Sequence, residues 1–334
     1  MPMDHSRSDA RDSGDASSRI DRRDMLRQTS ALIAGAAVGG LASAGASQDA
    51  PGTDRFFPGF KASKVQTSGA VINTVIGGQG PPLLLLHGAP QSHISWRLVA
   101  PELAKEYTVV ATDLRGYGDS SKPPDGENHA NYSKRAMALD QVEVMRQFGF
   151  EKFAVVGHDR GGRVTHRMAL DHPEKVTKAA VVDIVPTHYL YNHITLEFAN
   201  SYFHWFLFIQ PAPFPENVIA SDPGRWVGRG TSEVSLEYQR IYKDPAAVHA
   251  MCEDYRAAAT IDLRHDEADL NKKIACPLLV LWGLKGVVGR LYDPLAIWRE
   301  RASSVTGKGM PGGHNLQEEL PEQTLAELRA FLKA

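Results

Sequence analysis

From residue 64 onward, short runs that are apolar at almost every position alternate with amphipathic stretches of helical length. A strand that is apolar throughout is buried on both faces. It needs helices above and below it, and so belongs to a mostly parallel sheet. Pro82–His87 is the clearest such run, with Leu83-Leu84-Leu85-Leu86 at its centre. Tyr107–Thr112, Phe153–Val156, Val176–Val182 and Leu278–Trp282 repeat the pattern. Lys64–Thr67 and Val71–Ile76 read as a hairpin turned at Ser68-Gly69. Lys134–Phe148, Arg163–Asp171 and Pro321–Lys333 read as helices. The expectation is an α/β fold with a mostly parallel sheet of about eight strands and helices on both faces.

The alternation stops between residues 186 and 273, where the chain is aromatic and Pro-rich at Pro211-Ala212-Pro213-Phe214-Pro215. An insertion of this length is usually functional. It predicts a helical lid over the edge of the sheet where the strands end, which is where open α/β sheets bind ligands. The core then comprises residues 47–185 and 274–334.

Residues 1–46 read as an address. A polar, Arg-containing segment with Arg22-Arg23 precedes a mildly apolar Ala/Gly stretch, which ends at Ala42-Ser43-Ala44 and Ala44-Gly45-Ala46. This is similar to a twin-arginine signal peptide, and predicts a periplasmic or secreted protein, with a cytoplasmic one as the alternative. No later apolar run is long enough to span a bilayer, so no stable membrane association is expected after cleavage. With 37 Lys+Arg against 39 Asp+Glu, the formal charge of −2 gives no basic surplus for nucleic acid. Cys252 and Cys276 make neither a disulfide framework nor a zinc cluster and are expected as buried small hydrophobes. No metal-ligand cluster or dinucleotide fingerprint is visible, so no cofactor is expected.

After the strand ending at Val156 comes Gly157-His158-Asp159-Arg160-Gly161-Gly162. This is the form of a nucleophile elbow, in which flanking glycines permit a sharp strand-to-helix turn that exposes the central side chain. Here that side chain is a carboxylate, ionised at neutral pH, which can attack carbon and form an ester. Hydrolysis of the ester needs a base, and His314, in Gly312-Gly313-His314 before the last helix, suits that role. A carboxylate should hold its ring. The loop after Leu278–Trp282 contains no acid, whereas the preceding strand ends in Asp183, so Asp183 is the expected orienter and Asp293 the alternative. The loop His87-Gly88-Ala89-Pro90 predicts an oxyanion hole from the backbone N–H groups of Ala89 and Arg160. Arg160 and Arg163 lie three apart at a helix start, on one face, and point to a carboxylate-bearing substrate.

The chain from about residue 56 resembles the α/β-hydrolase fold in its epoxide hydrolase and haloalkane dehalogenase branch, and within it the fluoroacetate (haloacetate) dehalogenases. The likeness rests on Phe57-Pro58-Gly59-Phe60, the elbow through Arg163, Val182-Asp183-Ile184-Val185-Pro186-Thr187, and His204-Trp205. Gln210-Pro211-Ala212-Pro213, Pro215-Glu216-Asn217 and Met251-Cys252-Glu253-Asp254-Tyr255-Arg256 complete it. The resemblance implies Asp159 as nucleophile, His314 as base, Asp183 as its partner, Arg160 and Arg163 on the substrate carboxylate, and His204, Trp205 and Tyr255 around the halide. It implies a small halogenated carboxylic acid and water as partners, and allows a homodimer. Ala89 stands where many relatives carry a bulkier residue, which widens the pocket. Two other readings use the same residues: an epoxide hydrolase, with Tyr255 and one of Tyr189, Tyr191 or Tyr202 as proton donors, and a hydrolase-fold receptor for a small acid.

Overall fold

The computed structural model describes residues 56–334. The expected signal, residues 1–46, lies outside the described residues. Eight strands form one sheet: β1 (Lys61–Gln66), β2 (Val71–Gly77), β3 (Pro82–Leu86), β4 (Thr108–Thr112), β5 (Phe153–His158), β6 (Val176–Val182), β7 (Leu278–Gly283) and β8 (Val305–Met310). Their order is β1-β2-β4-β3-β5-β6-β7-β8, antiparallel at β1/β2 and β2/β4 and parallel from β4 onward.

The fully apolar runs lie in the middle of this sheet. Leu83, Leu84, Leu85 and Leu86 are completely buried, as are Val156 and its β6 partner Ala180. Burying each such leucine contributes roughly 1.5–3 kcal/mol, so this centre anchors the sheet.

Parallel pairing brings the carboxyl ends of the strands to one edge. Leu86 pairs with Gly157, His158 with Val182, and Gly283 with Met310. The segments that follow β3, β5, β6 and β8 carry Ala89, Asp159, Asp183 and His314. Four distant parts of the sequence therefore converge because of strand order.

The helix after β5 spans Arg160–Asp171 and begins before the Arg163 start that the sequence suggests, because the turn between strand and helix consists of Asp159 alone. Helix Lys134–Gln147 starts at Ser133, whose side chain accepts a hydrogen bond from Ala136 N–H. Between β6 and β7 the chain forms a run of helices from Thr187 to Ala268, the longest being Pro245–Ala259. β8 escapes sequence reading: Val-Thr-Gly-Lys-Gly-Met is an edge strand, half exposed and Gly-rich, and has no apolar run. Cys252 is buried as expected, whereas Cys276 is only half-buried.

Candidate active site

Asp159 sits at the elbow with φ 45° and ψ −113°, a left-handed backbone that a non-glycine residue rarely adopts. The glycines around it make the turn sterically feasible. A Cβ on Gly157 would fall 2.3 Å from the Gly161 carbonyl oxygen, and one on Gly161 would fall 2.6 Å from that of His87. The strained residue is thus the one whose side chain the turn displays. Its Oδ2 accepts a hydrogen bond from Ala89 N–H at 3.0 Å. The Ala89 loop is held by His87, whose Nε2 accepts from Leu114 N–H at 3.0 Å. Burial alone would raise the Asp159 carboxyl. His314, His158, Arg160 and Arg163 outweigh that and hold it below its ordinary value, so it is ionised at neutral pH.

Asp183 also has a left-handed backbone, φ 53°, at the end of β6. One carboxylate oxygen accepts from Gly283 N–H at 2.8 Å, and the other lies 2.5 Å from His314 Nδ1. This fixes His314 with Nδ1–H toward Asp183 and Nε2 free to accept a proton. Burial would lower the His314 pKa, but the hydrogen bond and charge of Asp183, with Asp159 beyond, raise it above the ordinary histidine value. Asp293 is elsewhere, capping helix Pro294–Arg301 through Ala296 N–H at 3.0 Å.

Beneath the nucleophile lie the two arginines, both buried. Arg160 donates from Nε to Asp254 Oδ2 at 2.7 Å and from Nη2 to the Asp254 carbonyl at 2.8 Å. Arg163 donates from Nη1 to the Val185 carbonyl at 3.1 Å and to Thr187 Oγ1 at 3.0 Å. Arg160 Nη1 and Arg163 Nε are buried with no protein partner. Buried guanidinium donors without acceptors are costly, and so mark a place for an anion. Burial would lower Arg160, but Asp254 outweighs it and drives the pKa up. Arg163, without such a partner, is lowered by burial and by the neighbouring Arg160 charge.

The inserted helices close the site with aromatic rings. Arg160 Cζ lies 4.2 Å from the Tyr255 ring centroid and Arg163 Cζ 4.7 Å from that of Trp205. Trp205 and Tyr255 meet edge to face at 5.6 Å, and His204 lies 5.9 Å from Tyr255. Burial pushes His204 down to about 4, so at neutral pH it is an uncharged imidazole with one N–H donor. A cavity of about 390 Å³ opens between these elements, lined by Ala89, Asp159, His204, Trp205, Tyr255 and His314 among others. Neither guanidinium is part of its wall; each lies behind an aromatic ring.

Thus Ala89, Asp159, His204, Trp205, Tyr255 and His314 meet at one cavity, with Asp183 behind His314 and Arg160 and Arg163 behind the aromatic rings. Sequence reading gave no role to Asp254. It accepts from Arg160, from Tyr117 Oη at 2.5 Å and from Lys134 Nζ, and so pairs with two buried cations, Lys134 having Asp262 as a further partner. His158 was also missed. Its Nε2 donates to the His314 carbonyl at 2.9 Å, and burial keeps it neutral with a pKa near 3. The only available signal for both was a polar residue next to a catalytic candidate. Folding also gathers Asp125, His249 and Glu253, whose ligand atoms lie within 4.8 Å of one another. They are engaged by other groups: His249 bridges Asp125 and Glu216 at 2.9 Å each, and Arg256 pairs with Glu253 at 2.9 Å. None of the three lines the cavity.

An elbow nucleophile, a His–Asp pair at the same sheet edge and helices inserted after β6 define a class of hydrolases. The family pattern described as "alpha/beta hydrolase fold" matches residues 81–319, and the chain belongs to that family. Within it, the chain is 47% identical over 288 residues to a fluoroacetate dehalogenase from Burkholderia sp, covering 83% of this chain and 95% of that protein. A soluble epoxide hydrolase from Corynebacterium sp. (strain C12) is 31% identical, over 76% of this chain and 91% of its own length. Among solved structures, an alpha/beta hydrolase from Nostoc sp PCC 7120 is 55% identical with a TM-score of 0.79, covering 82% of this chain and 98% of that one.

Proposed function

We propose that the protein hydrolyses the carbon–halogen bond of a short 2-haloacid, converting a haloacetate such as fluoroacetate to glycolate and halide. The observation that carries this reading is the pair of buried guanidiniums with unpartnered donors beside a carboxylate nucleophile. The substrate carboxylate takes Arg160 Nη1 and Arg163 Nε once the Tyr255 and Trp205 rings that stand against them shift aside, and charge-assisted bonds of this kind are strong and directional. Asp159 attacks the α-carbon from the side opposite the halogen. A C–O bond forms as the carbon–halogen bond breaks, and the halide leaves with the electron pair. The N–H of His204, the indole N–H of Trp205 and the O–H of Tyr255 solvate the departing halide in place of water.

The second half of the reaction cleaves the aspartyl ester. Water attacks the ester carbonyl of Asp159 while His314 Nε2 takes its proton, and Asp183 stabilises the imidazolium. The backbone N–H groups of Ala89 and Arg160 stabilise the oxyanion. Collapse restores the Asp159 carboxylate with one oxygen from water. The test follows from that oxygen: turnover in H₂¹⁸O adds label to the peptide carrying Asp159. A peptide that stays unlabelled after many turnovers rules out the ester route.

Epoxide hydrolysis is the second reading, because Tyr202 and Tyr255 both line the cavity and could protonate an epoxide oxygen. An epoxide leaves the arginine donors unsatisfied, which favours the haloacid. Parallel assays of fluoroacetate, chloroacetate and an aryl epoxide separate them, since diol without halide selects the epoxide. We also propose that residues 1–46 direct twin-arginine export. Cell fractionation of the full chain and of an Arg22→Lys/Arg23→Lys variant tests this, and an unchanged cytoplasmic location of the full chain overturns it.

A further inference from the structure

The cavity is larger than the substrate just proposed. A haloacetate has about five heavy atoms and takes the room of some four waters, on the order of 120 Å³ at the liquid value per molecule. The cavity holds about 390 Å³. Beyond the nucleophile its walls are Pro90, Phe203, Phe208, Trp226 and Met251, all apolar or aromatic. Arg225 also lines it and is exposed, so it stands at the mouth, whereas Arg160 and Arg163 are buried and do not line it. Among the described residues no carboxylate pairs with the Arg225 guanidinium. The neighbouring Asp222 is bonded to Arg229 instead. The cavity therefore runs from the nucleophile, with the two buried guanidiniums behind its aromatic lining, through an apolar middle to an exposed cation at the rim.

We infer that the preferred substrate is a 2-haloacid whose α-carbon carries an apolar chain ending in a second anionic group, with Arg225 as the residue that selects that group. This rests on the dehalogenation reading. The α-carboxylate goes to the Arg160 and Arg163 pair, the halogen to His204, Trp205 and Tyr255, and the chain to the apolar walls. The covalent chemistry is unchanged: Asp159 displaces halide at C2 and water releases the 2-hydroxy acid. Each methylene buried along the walls adds to binding, and the exposed ion pair at the rim adds a smaller increment.

Three substrates and three proteins test it. Chloride release is measured from chloroacetate, 2-chlorohexanoate and 2-chloroadipate, with wild type, Arg225→Gln and Arg225→Lys. The last two acids have the same chain length and differ in the terminal methyl or carboxylate. For wild type, kcat/KM should rise from chloroacetate to 2-chlorohexanoate by about tenfold or more, and again to 2-chloroadipate. Arg225→Gln should cost about fivefold on 2-chloroadipate alone, and Arg225→Lys should restore most of it. Chloroacetate preferred over both longer acids overturns the inference. So does an equal loss on all three acids, which would make Arg225 a general attractor of anions, or no loss on any. Absence of chloride from all three in wild type sinks the dehalogenation reading itself, which the chloroacetate arm distinguishes from failure of the inference.

Discussion

The carboxyl edge of the sheet and the helices inserted after β6 hold their site residues in different ways. At the sheet edge each group is fixed by directed bonds. Asp159 takes Ala89 N–H, Asp183 takes Gly283 N–H and His314, and the His314 carbonyl takes His158. In the inserted helices, His204, Trp205 and Tyr255 are held by ring contacts of 5.1 to 6.4 Å between centroids. Directed bonds fix an atom's position closely, as attack on carbon requires. Ring contacts carry no such directional constraint. On the proposed mechanism, bond-making falls to groups fixed by directed bonds and leaving-group solvation to groups held by ring packing.

That contrast orders the expected effects of mutation. Asp159→Asn should reduce turnover by about 10⁴-fold or more, read as halide release. Retention of even a hundredth of wild-type activity would move the chemistry away from the sheet edge. His314→Ala should lose about 10³- to 10⁴-fold in steady state while the first half-reaction survives. Mass spectrometry should then show the ester on the peptide bearing Asp159, and an unmodified peptide would break the two-step division. Trp205→Phe keeps the ring but removes the N–H, and should cost on the order of 10²-fold with fluoroacetate. The loss should shrink with bromoacetate, whose leaving group needs less solvation. Equal losses for both would make Trp205 a packing residue only.

The smallest effect is the pH profile. His314 must be neutral to accept the water proton, and Asp183 raises its pKa. Hydrolysis of the ester should therefore fall about tenfold per pH unit below a midpoint that lies above the ordinary histidine value. The His204 imidazole, held to about 4, should leave no inflection near neutrality. A midpoint clearly below the ordinary histidine value, about 6.5, would contradict the Asp183–His314 pairing.

Much of this was legible in the sequence, for identifiable reasons. β6 and helix Pro321–Lys333 match their expected bounds because apolar runs and Pro at a helix start are strong local signals. Asp159 was visible through its flanking glycines, and His314 and Asp183 through their places at strand ends. Asp254 was not, because its role depends on three partners 94 to 137 positions away. No local pattern records such a meeting. β8 was hidden because an edge strand need not be apolar. The depth of the cavity was equally invisible, since it depends on how separate helices pack.

The Asp254 network bears on how anything gets in. Helix Pro245–Ala259 carries Asp254, while Lys134, Tyr117 and Arg160 belong to segments before β6. Lifting that helix would strand two cations and an anion, at about 3–5 kcal/mol for a broken buried pair. It acts as a bolted post rather than a door. The short helices His204–Phe208 and Gly224–Val227, which border the cavity, carry no such buried ion pair among the described residues. Of the three polar groups proposed around the leaving group, Tyr255 thus rides on the bolted helix, and His204 and Trp205 on a segment without such a bolt.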